Sequence, residues 1–222
     1  MEGRGQSDVT ETTISQHVFG EGLEEPTLEI SIIEEMKEDE YGLFAWPSSV
    51  ILAEYVWQQR ARFPATNVVE LGAGTSLPGL VAAKLGSNVT LTDDMRKPEV
   101  LDNIRRSCVL NSLHCQVLGL TWGLWDEHVI NVKPNFILGA DVLYDSSAFD
   151  DLFATVTFML QACPDSTFIT TFHDRSGHFL IDFLMAKWGL KCAKLLDGFS
   201  FMPPHKASWL KGTTIWLAEI KL

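Results

Sequence analysis

Through the middle of the chain, short apolar runs alternate with longer amphipathic stretches. Residues 67–71 (NVVEL) read as an apolar strand, followed by a helix over 77–85. Residues 88–92 (NVTLT) and 98–111 repeat that pair, and 115–119 (CQVLG) adds a third strand. Residues 135–140 (NFILGA) lead into a helix over 148–161, and 167–172 (TFITTF) into one over 177–188. The runs 190–196 and 213–222 are close enough to pair as a terminal antiparallel hairpin. Strands separated by helices build βαβ units. The pattern therefore predicts an α/β fold: a mostly parallel seven-stranded sheet, helices on both faces, and an antiparallel C-terminal hairpin. Ahead of it, 48–60 (SSVILAEYVWQQR) forms an amphipathic helix with Val50, Ile51, Tyr55 and Trp57 apolar, and Leu28, Ile30 and Ile32 alternate as in a strand with one wet face. Three regions follow: a flexible polar tail over 1–16, a strand-and-loop extension over 17–47, and the main domain over 48–222. There is no internal repeat.

Composition narrows the classes of partner. The chain has 222 residues, 46% of them hydrophobic, enough for one domain with a sizeable core. Seventeen basic against 29 acidic residues give a net charge of -12. Such a field repels phosphate backbones and attracts basic protein segments, so no direct nucleic-acid partner is expected. Nine of the 29 acids fall between Glu21 and Glu40, where a solvated face and a docking surface for a basic partner both explain them. No apolar run approaches the ~18 residues needed to cross a bilayer, and the first residues lack the apolar core of a secretory signal. No membrane partner is expected, and the expected location is cytoplasm and nucleus. Cys108, Cys115, Cys163 and Cys192 lack CxxC spacing and fit ordinary reduced thiols; the histidines form no metal-ligand pattern.

Candidate chemistry begins at Glu70-Leu71-Gly72-Ala73-Gly74, where the 67–71 strand turns into its helix. Glycines there allow positive φ and let a ligand approach the backbone. The next glycine is Gly79, with Pro78 before it, so the dinucleotide fingerprint GxGxxG is not met, and no GK[ST] ending follows. The following strand ends at Asp93-Asp94, about twenty residues after the glycines, where an acid can accept both hydroxyls of a ribose. Asp93 takes that role in this reading and Asp94 that of a helix cap.

Together with Leu120-Thr121-Trp122-Gly123, Asp141-Val142-Leu143-Tyr144 and Ala45-Trp46-Pro47, these residues resemble the seven-strand class I methyltransferases with a Rossmann-like sheet. The resemblance is to the family-16, methyltransferase-like branch and spans roughly residues 28–222. It implies S-adenosyl-L-methionine as cofactor. Trp46, Glu70, Gly72, Ala73, Gly74, Asp93, Trp122 and Ala140 are then the cofactor-binding set. Gly72–Gly74 pass under the methionine and ribose, Trp122 stacks beside adenine, Trp46 closes over the cofactor, and Ala140 lines the wall. Trp57 and Trp188 are expected in the core. The stretches SLPGLVAAK, LGLTWG and DDLFATVTFML resemble most a branch that methylates histone arginine, whereas the Asp-x-x-Tyr tetrad is shared with protein-lysine enzymes.

Methyl transfer needs a nucleophile with a free lone pair. At about 1.36 kcal/mol per pKa unit, deprotonating a lysine at pH 7 costs about 4–5 kcal/mol and an arginine about 9 kcal/mol. Carboxylates must therefore orient and neutralise the target. Asp141 and Tyr144 are the expected catalytic pair, and Glu34, Glu35 or Asp145 could supply a second acid. His173, after the fifth strand, could touch substrate or be merely a satisfied polar residue. A protein methyltransferase acting on a basic segment, a histone among the candidates, is the first reading. A small-molecule methyltransferase and a non-catalytic binding module on the same fold are the alternatives.

Overall fold

The computed structural model describes residues 11–20, 26–36, 41–125, 131–173, 178–209 and 214–222. The strands are β1 (Glu11–Phe19), β2 (Leu28–Met36), β3 (Asn67–Glu70), β4 (Asn88–Asp93), β5 (Gln116–Gly119), β6 (Phe136–Ala140), β7 (Thr167–His173), β8 (Lys191–Asp197) and β9 (Ile215–Lys221). The helices are α1 (Pro47–Gln58), α2 (Leu77–Lys84), α3 (Pro98–Leu110), α4 (Phe149–Ala162), α5 (His178–Lys187) and α6 (Pro204–Trp209).

Seven strands form one sheet in the order β5-β4-β3-β6-β7-β9-β8. The first five are parallel, and β9 runs antiparallel to both β7 and β8. The expected terminal hairpin is present, with β9 inserted between β7 and β8 and α6 in the connection. Alternation along the strands feeds two apolar layers. Val68 and Leu138 pack with α1, α2 and α3 on one face. Val69, Leu71, Ile137 and Phe168 pack with α4 and α5 on the other. The chain builds outward from β3 to β4 and β5, then crosses to β6 on the other side of β3. That reversal leaves a crevice at the carboxyl ends of β3 and β6, the place where open α/β sheets bind ligands.

The N-terminal extension differs from expectation. β1 pairs antiparallel with β2 from Glu11↔Met36 to Phe19↔Leu28, so residues 11–16 are strand rather than tail; residues 1–10 lie outside the described ones. Phe19, Ile30 and Ile32 are buried against α2 and α3, and that burial orders the segment. The outer edge of β2 is sealed by side chains of α3 and of its C-cap, Asn111. Asn111 accepts from Ser31 N at 2.9 Å and donates to Ser31 O at 2.6 Å, and Asn103 donates to Ile33 O at 2.9 Å. Amides on a helix thus stand in for a third strand and leave those backbone groups paired. Trp57 is buried as expected; Trp188 is half-buried, its Nε1 donating to Asp150 at 2.8 Å.

Candidate active site

A cleft of about 640 Å³ opens at the carboxyl ends of β3, β4 and β6. Its floor is the turn after β3. Gly72 and Gly74 adopt φ +57° and +52°, and a Cβ on Gly72 would lie 3.1 Å from Val142 and 3.3 Å from the Trp122 ring. Glycine thus keeps open a slot between backbone and indole. The turn is tied to β4, with Ala73 N donating to Thr92 O at 2.8 Å and Thr92 Oγ1 to Glu70 O at 2.7 Å.

Asp93 closes one end of the turn. One carboxylate oxygen accepts from Gly74 N and the other from Asp94 N, each at 2.8 Å. Each oxygen keeps a further lone pair, and Asp93 lines the cleft, where a diol can meet them. Burial pushes the carboxyl above its ordinary range, while the two amides pull it back. Asp94 is not the expected helix cap. It accepts from Arg96 N at 3.0 Å and pairs with the Arg96 guanidinium at 2.7 Å, closing the turn before α3, whose N-cap position is Lys97. Arg96 holds the Asp94 carboxyl below its usual range.

Trp46, at the start of α1, is 38% exposed and lies edge-on to Phe44 with centroids 5.7 Å apart. The backbone leading to it is held by Glu34, whose carboxylate accepts from Ala45 N at 2.9 Å. Of the sequence-predicted cofactor residues, the cleft wall contains Trp46, Gly72, Ala73, Gly74, Asp93, Trp122 and Ala140. Glu70 is the exception. Strand alternation puts it on the Val68 side of the sheet, fully buried beneath α2, where it accepts from Gly79 N at 2.9 Å. Burial raises its carboxyl to about 8. A Cβ on Gly79 would stand 2.4 Å from the Glu70 carboxylate and 2.4 Å from Leu91, so Gly79 serves helix–sheet contact. Glu70 braces the glycine turn from behind and does not line the cleft.

Asp141 and Tyr144 both line the cleft beyond β6. Asp141 sits at φ +52°, a backbone conformation that Asp and Asn tolerate better than other side chains do. Its N–H donates to Thr171 O at 2.8 Å, continuing the β6–β7 ladder. Tyr144 is exposed at the rim; partial burial, and then the carboxylates of Asp93, Asp145 and Asp141, push its hydroxyl pKa up. Of the three candidate second acids, only Asp145 lines the cleft; Glu34 holds Ala45 and Glu35 pairs with Arg106 at 3.1 Å. Asp145 Oδ1 accepts from Ser147 N and Oγ, which lowers its pKa. His173 stands beside Asp141, Nε2 to Oδ2 3.8 Å.

Sequence reasoning missed Phe44, Lys97 and Asp151, which also line the cleft. Phe44 was legible as the apolar residue two before Trp46. Asp151 had no such signal, because an acid in the first turn of a helix usually serves the dipole. Among the described residues no group of His, Cys, Asp or Glu could hold a metal, and no helix is long and apolar enough to cross a membrane.

The model of a lysine methyltransferase family matches residues 24–183, well over half of the chain. The chain belongs to this family. Its curated relatives include the histone-arginine methyltransferase METTL23 of Xenopus laevis, 39% identical over 79% of this chain and 75% of the relative. The protein N-lysine methyltransferase METTL21A of Xenopus tropicalis is 36% identical over 57% of this chain and 59% of that one. Among solved structures, a ribosomal protein L11 methylase from Lactobacillus delbrueckii subsp. bulgaricus superposes with a TM-score of 0.59 at 16% identity, covering 91% of this chain and 97% of that one. The protein is an S-adenosylmethionine-dependent methyltransferase. The glycine slot beside Trp122 and the two-oxygen acceptor of Asp93 fit that cofactor.

Proposed function

We propose that the protein methylates arginine in a basic, histone-type protein segment, and that it does so in the cleft described above. One observation carries the substrate class: Asp141, Asp145 and Tyr144 line the same cleft, and the carboxylates of Asp145 and Asp141 both act on the Tyr144 hydroxyl. An arginine target must shed about 9 kcal/mol worth of proton affinity at pH 7, about twice the lysine figure, so it gains most from a cleft that offers more than one carboxylate. The curated relatives named for histone arginine support the same reading.

In this proposal Gly72, Ala73 and Gly74 carry the methionine and ribose portions, Asp93 accepts from the ribose hydroxyls, Trp122 stacks beside the adenine, and Ala140 lines the wall. When bound, S-adenosylmethionine supplies an electrophilic methyl group. The protein's own contribution is alignment and exclusion of water. Trp46 and Phe44 cover the cleft from the α1 side. Asp141 accepts from the target nitrogen, orients its lone pair and stabilises its charge until the proton leaves. Asp145 offers a second acceptor at the rim, and Tyr144 bounds the entrance with its ring and hydroxyl. The net charge of -12 draws basic segments toward that entrance. Residence in cytoplasm and nucleus belongs to the same proposal, since that is where such a substrate is met.

The family description and the METTL21A relative favour a second reading, a lysine target. Purified protein incubated with core histones and methyl-labelled donor, followed by peptide mass spectrometry, separates the two. Label on arginine supports the proposal, label on lysine alone replaces it with the second reading, and no label on histone refutes the substrate class.

A further inference from the structure

Asp151 is the cleft carboxylate to which the proposed function gives no role. It lies in the first turn of α4, exposed, on a cleft wall that also includes Thr121 and Trp122. The loop that carries the indole is shaped around it. Gly123, the residue after Trp122, adopts φ +79°, and a Cβ there would stand 2.6 Å from Asp151 Oδ1. Glycine is what lets the carboxylate come this close to the backbone. The loop is also bonded to the same stretch of helix. Gly123 N donates to Thr155 Oγ1 at 2.9 Å, and Thr155 Oγ1 donates to Asp151 O at 2.8 Å. Thr155 thus ties the indole loop to the turn that carries Asp151. The preceding acid, Asp150, is engaged elsewhere: it pairs with Lys187 at 2.7 Å and accepts from Trp188 Nε1 at 2.8 Å. Among the described residues, nothing donates a hydrogen bond to the Asp151 carboxylate.

A carboxylate only accepts, so its partner in the cleft must carry a donor. The adenosyl group offers its ribose hydroxyls and the exocyclic amino group of adenine. The hydroxyls go to Asp93 at the end of β4, and the cofactor's ammonium lies with the methionine portion over the glycine turn. What is left for an acceptor beside the indole is the amino group. We propose that Asp151 accepts a hydrogen bond from the exocyclic amino group of the adenine next to Trp122, and is thereby a specificity residue for the cofactor's base. A base without that amino group leaves the carboxylate unmatched and forfeits the bond. The inference rests on the reading that places adenine beside Trp122; it does not depend on whether arginine or lysine is the target.

The test is calorimetry on the full chain and needs no turnover. Two ligands are compared: S-adenosyl-L-homocysteine, and its counterpart with an unsubstituted purine in place of adenine. Wild type is expected to prefer the adenine ligand by about five-fold or more. In Asp151→Ala that ratio should fall to within about two-fold, and Asp151→Asn, which keeps a carbonyl acceptor, should restore at least about half of the wild-type preference. Asp150→Asn removes a charge from the same helix turn and should leave the ratio at its wild-type value. A wild-type ratio near one, a ratio that survives in D151A, or a ratio lost equally in D150N overturns the proposal. A merely structural role would weaken both ligands together in D151A and keep their ratio. Trp122→Ala examines the underlying reading separately, since it should weaken both ligands by a similar factor. Unaltered affinities in W122A take the adenine away from the indole, whereas a ratio lost in D151A still supports the contact with the amino group.

Discussion

Replacing Gly72 by alanine probes the slot on which cofactor binding depends. Two costs can be separated. At φ +57° an L-residue pays about 1–2 kcal/mol for the left-handed backbone, partly offset by about 0.4–1 kcal/mol from a less flexible unfolded chain. The new methyl also meets Val142 at 3.1 Å and the Trp122 ring at 3.3 Å, so each must retreat by a few tenths of an ångström. A net destabilisation of about 1–2 kcal/mol corresponds to a Tm lowered by roughly 2–8 °C for a domain of this size. The affinity effect is expected to be larger, because the methyl projects into the space the ligand must enter. A Kd for S-adenosylmethionine weakened at least about ten-fold, or ~1.4 kcal/mol, is expected by titration calorimetry. Gly86 supplies the control: its φ is +93° and nothing lies within 4 Å of a Cβ built there. G86A should pay the backbone cost in Tm and leave the Kd untouched. If G72A and G86A bind the donor equally well, the slot between turn and indole is not the cofactor site.

Other substitutions address separate parts of the mechanism. Asp93→Ala should weaken donor binding by about 1.5–3 kcal/mol, read by calorimetry, since a hydrogen-bonded charged acceptor is lost; an unaltered Kd would remove Asp93 from the ribose role. Asp141→Asn should lower kcat at least about a hundred-fold with donor affinity retained, and full activity would displace the assigned centre. Glu70 gives a pH signature. Its folded pKa of about 8 lies above the ordinary 4.5, so its contribution to stability is complete below the ordinary value and is lost as pH rises toward 8. Glu70→Gln, neutral at every pH, should therefore flatten the decline of Tm between pH 5 and about 9 seen in wild type; parallel Tm–pH curves would contradict the buried-acid account. Gly79→Ala should cost about 1–3 kcal/mol by overpacking against Glu70 and Leu91, measured by urea unfolding.

The sequence by itself determined the alternation of strand and helix, and with it the parallel sheet and the position of the glycine turn. Period-two and period-3.6 patterns are local, and each element from β3 to β9 carries its own. The same locality gave Asp93, at the end of its strand, whereas Trp122 came with the family resemblance. β1 escaped notice because ETTISQHVF is too polar to announce a strand; only burial of Phe19 and pairing with β2 make it one. Glu70 shows the complementary failure. Its motif is shared with cleft residues two positions away, yet alternation sends its side chain to the opposite side of the turn, under Gly79. The tertiary structure also decided which acids converge. Asp145 and Asp151 reach the cleft while Glu34 and Glu35 are spent on Ala45 and Arg106, and no spacing rule distinguishes those fates. That His173 stands beside Asp141 depends on β6 lying next to β7, a long-range adjacency fixed by the packing of two apolar layers rather than by neighbouring residues.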